Sequence, residues 1–354
     1  MLASCQFKQT VFFMRHYAIL ANPGHNRIYF DTALTIACNE IRAITEARDI
    51  EISDIGERDL NLPACICFST EAPLNSKALK ALSASSIYYA IFEILEQGLL
   101  RPLAVEPFQT FPESLNQILK YTGKTNEQFT RMMVNLALSA CKTGSEQITL
   151  IDPMCGKGTT LFEGMVRGFN VVGIEINDKW TQEIQAYLIN YLKKGRYKHT
   201  KAKERRTHSG KRLSDGFTLE TAATKEDFSN GKTQILKVFP ADTRHTQFLA
   251  KKNSCDILVS DLPYGVQHGS KNAKDPKLDR SPVELLKEAA PAWKVVMKQK
   301  GALVISFNEF TLKWKEAEEA LTEAGFKVLG EEPYINYLHR VDQSINRNLI
   351  VAIK

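Results

Sequence analysis

From Gln147 onward the chain alternates short apolar runs with helix-period segments, and this alternation constrains the fold more than any other feature. The runs at 147–152, 171–176, 235–241, 255–260 and 301–307 have the length and β-branched content of buried strands. The segments 158–168, 177–193, 282–299 and 312–325 carry apolar residues at helical spacing. Strands that alternate with helices pair in parallel, because each helix returns the chain across a sheet face. The pattern predicts an α/β fold with a doubly wound, mostly parallel sheet. Two further runs, 326–329 and 348–353, read as closing strands at an antiparallel edge.

The stretch from about 194 to 233 breaks that rhythm as a polar, basic insertion. Net charge is +6, yet 193–212 alone holds about ten Lys and Arg against the single Glu204, so the rest of the chain is slightly acidic. Such a segment suits a polyanion, since each neutralised phosphate releases counterions. It also fits a solvated surface loop. Lys193, Arg196, Arg205 and Arg206 are its candidate phosphate contacts.

Residues 1–110 read as a small α+β domain, ahead of a larger domain over 111–354. It opens with a strand within 7–20 and a turn at Asn22-Pro23-Gly24. A helix follows over 32–47, with Leu34, Ala37, Cys38, Ile41 and Ile44 on one face, then a strand at 64–69 and one or two helices in 76–97. Pro102, Pro107 and Pro112 mark a linker at 101–117. Thr125-Asn126-Glu127-Gln128 has the form of a capping box, with Thr125 as N-cap. The helix that it opens carries Phe129, Met132, Met133, Leu136, Ala137 and Ala140 on one face.

Seven cysteines, an odd number without metal-type spacing, fit reduced thiols in a cytosolic protein, with Cys65 and Cys67 on one face of a strand. No apolar run approaches the roughly 18 residues that a bilayer requires, so no membrane association is expected.

Two motifs follow buried strands about a hundred residues apart: Asp152-Pro153-Met154-Cys155-Gly156-Lys157-Gly158-Thr159 and Ser260-Asp261-Leu262-Pro263-Tyr264-Gly265. A glycine-rich turn between strand and helix lets backbone N–H groups approach a ligand. A Walker loop would need Gly at 151 and Ser or Thr at 158, where this chain has Ile151 and Gly158. A pyrophosphate would be repelled by Asp152 at the head of the loop. S-adenosylmethionine (SAM) carries an ammonium and a sulfonium and no phosphate, so the acid favours it. Glu175, about twenty residues past Gly156, stands where a carboxylate accepts from ribose hydroxyls. Asp242 follows the next strand and is placed to accept from an adenine amino group.

The second motif suits the methylation of an amine. Exocyclic base nitrogens are poor nucleophiles because their lone pair is conjugated with the ring. Acceptors for the N–H groups localise that lone pair and align the nitrogen for in-line transfer. Asp261 offers a carboxylate and Leu262 a carbonyl on a loop stiffened by Pro263. Tyr264 offers a stacking ring, and Gly265 leaves room for the base.

Over roughly residues 117–354 the chain resembles the Rossmann-fold, SAM-dependent RNA methyltransferases that make N2-methylguanosine in tRNA and carry an Asp-Pro-Pro-Tyr-Gly or Asp-Leu-Pro-Tyr-Gly motif. The resemblance implies a Rossmann-like methyltransferase sheet behind the small N-terminal domain. It implies that 125–130, with Thr125, Asn126, Gln128, Phe129 and Thr130, help to enclose the cofactor. Asp152, Met154, Cys155, Gly156, Gly158 and Thr159 match the first motif, Glu175 and Ile176 the ribose position, and Asp242 and Thr243 the adenine position. Asp261, Leu262, Pro263 and Tyr264 match the catalytic motif, and Asp261 is also implied as a cofactor contact. Many such tRNA enzymes carry a THUMP domain with a ferredoxin-like partner, and 110 residues are short for both. Residues 1–110 are a candidate RNA-docking domain ahead of the methyltransferase domain over 111–354, and the mode of docking stays open.

His268 and Lys271 follow the catalytic loop as further substrate contacts, with His268 a candidate general base. Arg340 and Arg347, between the last two strands, are candidate phosphate ligands. The expected activity is cytoplasmic SAM-dependent methylation of a guanosine N2 amine in RNA, with tRNA as partner. A DNA adenine-N6 or cytosine-N4 methyltransferase is the rival in the same class, disfavoured by Leu262 and by the lack of a recognisable DNA-reading domain. A non-catalytic RNA-binding module is the rival from another class, disfavoured by the intact Asp152, Glu175 and Asp261.

Overall fold

The computed structural model describes residues 14–22, 27–117, 125–263 and 281–354, with backbone alone over 27–32. The first unit comprises β1 (Arg15–Ala21), α1 (Arg27–Glu46), β2 (Ser53–Glu57), β3 (Cys65–Thr70), α2 (Ser76–Ser83), β4 (Tyr88–Ile94) and β5 (Leu100–Pro102). Its strands form an antiparallel sheet in the order β2-β3-β1-β4-β5. Cys65 and Cys67 share one face of β3 with Ala18 of β1. The part of the expected first strand over 7–13 lies outside the described residues.

Two expectations for this region are corrected. Residues 76–97 hold one helix and then a strand, because Tyr88-Tyr89-Ala90-Ile91-Phe92-Glu93-Ile94 is aromatic and β-branched and pairs with β1. The proline-rich stretch 101–117 is not a free linker. Its first residues complete β5, its end forms α3 (Ser114–Gln117), and Phe111 and Leu115 are fully buried.

The second unit runs α4 (Glu127–Ala140), β6 (Thr149–Asp152), α5 (Thr159–Val166), β7 (Asn170–Glu175), α6 (Asp178–Lys194), β8 (His199–His208), β9 (Lys211–Thr221) and α7 (Lys225–Ser229). It continues with β10 (Gln234–Pro240), α8 (Thr246–Leu249), β11 (Cys255–Asp261), α9 (Pro282–Val296), β12 (Met297–Asn308), α10 (Trp314–Glu323), β13 (Lys327–Val328), β14 (His339–Arg340) and β15 (Asn346–Ile353). Five parallel strands lie in the order β12-β11-β6-β7-β10. The chain winds outward from β6 through β7 to β10, then returns to lay β11 and β12 on the other side of β6. That reversal opens a crevice between the carboxyl ends of β6 and β11, where open α/β sheets bind ligands. β15 runs antiparallel between β12 and β13, so the closing strands form the expected antiparallel edge.

Both faces are covered. Leu150, Val171, Leu236, Ile257 and Val304 point to one side, toward α4, α5 and α6. Ile151, Ile174, Phe239, Leu258 and Ile305 point to the other, toward α9 and α10. The alternation is the period of two that strand geometry imposes. The first core continues without a break through α1 into the N-terminal sheet, so the two sheets share one hydrophobic interior.

The basic insertion interrupts the strand–helix alternation as expected, but as an ordered hairpin and not as a solvated surface loop. β9 pairs antiparallel with β10, and β8 pairs with β9, so the insertion extends the central sheet. Phe217 and Leu219 bury one face against Ile184, Leu188 and Leu192 of α6. The turn is Ser209-Gly210, both at positive φ (50° and 75°), the tight geometry that matches strand twist.

Candidate active site

Four carboxylates gather along the carboxyl edge of the parallel strands: Asp152 at the end of β6, Glu175 at the end of β7, Asp242 just after β10 and Asp261 at the end of β11. Asp152 lies deepest, only 2% exposed. Its Oδ1 accepts from Ser260 Oγ at 2.7 Å and from the Met154 N–H at 3.1 Å, so it ties the glycine loop to β11. Burial pushes its carboxyl up to about 7 against the donors Ser260, Met154 and Thr160. Expected to meet the ligand's cation, Asp152 is instead buried, with its Oδ1 taken up by Ser260 and Met154.

The sign of that shift sets a pH dependence. In the free protein the stability contributed by Asp152 is full below its ordinary 3.8 and declines as pH rises toward about 7. A cationic ligand favours the ionised form. SAM affinity is therefore expected to rise with pH, approaching tenfold per unit below about 7, and to level off above it. Calorimetric titration of wild type and Asp152→Asn checks this; equal, flat profiles on either side of pH 7 would contradict it.

Glu175 is buried, and its two oxygens accept from the Gly156 and Asn177 N–H groups at 2.8 Å each. Burial raises its carboxyl, and these backbone donors work against that rise. Beside it Ile176 is 61% exposed, an apolar surface suited to a heteroaromatic ring. Gly158 caps α5 at φ 90°, a left-handed conformation that side chains resist. A Cβ on Gly156 would meet no atom within 4 Å, so the loop leaves open space in front of it. Cys155 is buried, its N–H donates to the Ile174 carbonyl at 2.9 Å, and burial raises its thiol well above the ordinary range. Thr159 is buried in the first turn of α5.

Asp242 is engaged by a neighbour that spacing alone does not reveal. Arg244 holds it through Nε at 2.9 Å, Nη2 at 2.5 Å and its own N–H at 2.9 Å, and bridges on to Glu288. Burial pushes Asp242 up, and the Arg244 hydrogen bonds more than reverse this, leaving it below the usual range. An adenine amino group would have to share that carboxylate with Arg244. Thr243 is buried and accepts from the indole N–H of Trp293 at 2.9 Å.

Asp261 ends β11 at the crevice. Its Oδ2 accepts from Thr125 Oγ1 at 2.8 Å, its Oδ1 accepts from Ser306, and Arg347 Nη2 lies 3.8 Å from Oδ2. Leu262 is anchored by its N–H to the Ser306 carbonyl at 2.9 Å and by a buried side chain, while Pro263 is exposed. Tyr264, Gly265, His268 and Lys271 lie outside the described residues.

Several expected contacts fall elsewhere. The N-cap of α4 is Asn126, which accepts from the Gln128 and Phe129 N–H groups, and this frees the Thr125 hydroxyl for Asp261. The cap thus lies one residue later than a Thr125 capping box predicts. Gln128 donates to the Asn22 carbonyl at 3.4 Å in the N-terminal unit, and Phe129 and Thr130 are fully buried. Arg347, expected on a phosphate, is 6% exposed with its guanidinium 4.6 Å above the Phe129 ring. Arg340 is exposed and donates to the Asp342 carbonyl at 3.1 Å. Arg206 turns inward to Glu204 at 2.7 Å and the Phe239 ring at 5.4 Å. Lys193, Arg196 and Arg205 are exposed, with Arg205 paired across the hairpin to Asp215 at 3.2 Å.

A parallel sheet of this order, with a glycine loop, acids at successive strand ends and an Asp-Leu-Pro loop across the switch point, defines a Rossmann-like methyltransferase. Residues 119–326 match the sequence model of the RMKL-like methyltransferase domain family, and the chain belongs to that family. Its members are SAM-dependent. The described residues fit such a donor: carboxylates at successive strand ends, open space at Gly156 and an exposed Ile176.

No curated protein matches the chain. Among solved structures, the TehB-like SAM-dependent methyltransferase of Corynebacterium glutamicum is similar at 12% identity and a TM-score of 0.33, covering 64% of this chain and 97% of its own. An rRNA methylase of Streptococcus thermophilus is similar at 9% identity and 0.34, covering 66% and 99%. The Methanococcus jannaschii fibrillarin pre-rRNA processing protein is similar at 12% identity and 0.35, covering 85% and 98%. At such scores these likenesses carry no weight for function.

Proposed function

We propose that this methyltransferase acts in the cytoplasm on RNA, placing a methyl group on the exocyclic N2 amine of a guanosine in tRNA. The observation that carries the proposal is the Asp261 carboxylate, fixed from three sides at the mouth of the switch-point crevice and still 19% exposed. When bound, SAM supplies an electrophilic methyl on a sulfonium sulfur. Glu175 and Asp242 are the residues to hold its hydroxyl and amino groups, and Ile176 its ring. Asp261 and the Leu262 carbonyl accept from the target amine, localise its lone pair and restrict its approach. Asp261 or water takes the amine proton after transfer, once the methylated nitrogen has become acidic. The target base must leave its stack to reach this crevice, and Tyr264 offers it a new stacking partner.

The substrate class rests on the hairpin. Lys201, Lys203, Lys211 and Arg212 are exposed along it, and Lys193 and Arg196 precede it. Residues 1–110 form, in this proposal, a small accessory domain that also docks RNA and is braced on the catalytic domain by α1 and α4. Replacing Lys193, Lys201, Lys203 and Lys211 by glutamine is expected to weaken tRNA binding. It should also lower the slope of log affinity against log salt by roughly 0.7–0.9 for each phosphate that is no longer neutralised. An unchanged slope would reduce the hairpin to a structural edge. Incubation with methyl-labelled SAM, total tRNA and duplex DNA tests the substrate class: label in tRNA supports the proposal, and label in DNA alone would move the activity to a DNA amino-methyltransferase.

A further inference from the structure

We propose that Arg347 is a positioning residue for methyl transfer, acting through the carboxylate of Asp261. The inference rests on the reading of Asp261 as the acceptor for the target amine and assigns what holds it. Arg347 stands on β15 opposite Asn308 of β12, at the carboxyl edge of the parallel strands. Its side chain is 7% exposed, which for a permanent cation demands a nearby anion and a supporting surface. Both are present. The Phe129 ring lies under the guanidinium at 4.6 Å, and Asp261 Oδ2 lies 3.8 Å from Nη2. Phe129 is itself immobilised, fully buried on α4 and packed against the ring of His339 at 5.1 Å. Burial lowers His339 to about 4, so at neutral pH this ring adds no second cation beside Arg347.

The carboxylate is thus gripped by three separate elements: Ser306 from β12, Thr125 from the segment ahead of α4, and Arg347 from β15. One hydroxyl holds each oxygen, and the guanidinium charge lies 3.8 Å from Oδ2 as an ion pair. Arg347 therefore sets the direction in which Asp261 accepts without touching the base. Its removal loosens an acceptor whose angle decides whether the nitrogen lone pair lines up, so turnover suffers more than binding.

The test is a double-mutant cycle on purified full-length protein with SAM and tRNA. Arg347→Met is expected to lower kcat about 30-fold, leaving the KM for SAM nearly unchanged, and Arg347→Lys is expected to recover part of the loss. In an Asp261→Asn background the same Arg347→Met change should have almost no further effect, because its route of action is gone. Unfolding equilibria of the four proteins give a second readout: the two changes should be non-additive by about tenfold. Arg347→Met losing the same factor in both backgrounds, or additive unfolding constants, would overturn the inference. Transfer by wild type to the same tRNA is the control that separates this failure from a failure of the functional reading.

Discussion

Replacing Asp261 by asparagine is expected to lower kcat by about 10²–10³ while SAM binding stays nearly intact. Asparagine fills the same volume and keeps one oxygen for Ser306 or Thr125. It presents an amide donor where the carboxylate accepts, and it removes the negative charge that faces the nitrogen as positive charge builds there. The loss must appear in kcat, because acceptance from the amine strengthens as the lone pair localises. SAM binding is spared because Asp261 lies across the switch point from Glu175 and Asp242. Single-turnover rates beside calorimetric SAM titration measure both sides of the claim. Near-wild-type turnover would leave Asp261 a structural end to β11.

The second large effect is on stability. Glu163→Ala is expected to destabilise the fold by roughly 3–5 kcal/mol, since it strips the shared anion from two buried guanidiniums. Glu163 on α5 is fully buried and lies 2.9 Å from Arg167 and 3.4 Å from Arg131 of α4, with Asn116 donating at 3.3 Å. Arg131 also reaches Glu113 at 2.9 Å. Next to this network, Glu40 of α1 accepts from Ser86 and Asn135 and joins the N-terminal unit to α4. Burial pushes Glu163 up, and the two arginines more than reverse that, leaving it below its ordinary 4.5. Its contribution is therefore present above that value and lost only as pH falls through the lower folded value. Urea unfolding of wild type and Glu163→Ala at neutral pH measures the effect; a difference under about 1 kcal/mol would show that solvent relaxes into the gap. The same network fixes α4, and through Phe129 and Thr125 it bears on the site.

Periodicity makes the parallel sheet legible, because its strands are buried on both faces and its helices carry one apolar stripe. The strand ends make Asp152, Glu175, Asp242 and Asp261 legible as positions. What they touch is not legible. Arg244 lies two residues from Asp242, yet nothing in the sequence says that the turn folds its guanidinium back onto the acid. Arg347 and Asp261 are brought together only because β15 inserts beside β12. The hairpin hides for a compositional reason: Lys and Arg occupy its exposed positions, and only Phe217 and Leu219, two apart, betray the inner face. At α4 the cap sits one residue later than the motif implies, because Asn126 binds the helix N–H groups and leaves Thr125 to Asp261.

The central claim is chemical, so its most direct measurement is of the product. tRNA methylated by the purified protein with labelled SAM is digested to nucleosides and separated beside standards. The account predicts label in N2-methylguanosine, formed about a hundredfold or more slowly by Asp261→Asn. Label on a ring nitrogen, a ribose oxygen or a carbon of the base would contradict it, because none of these needs the amine acceptors built from Asp261 and Leu262.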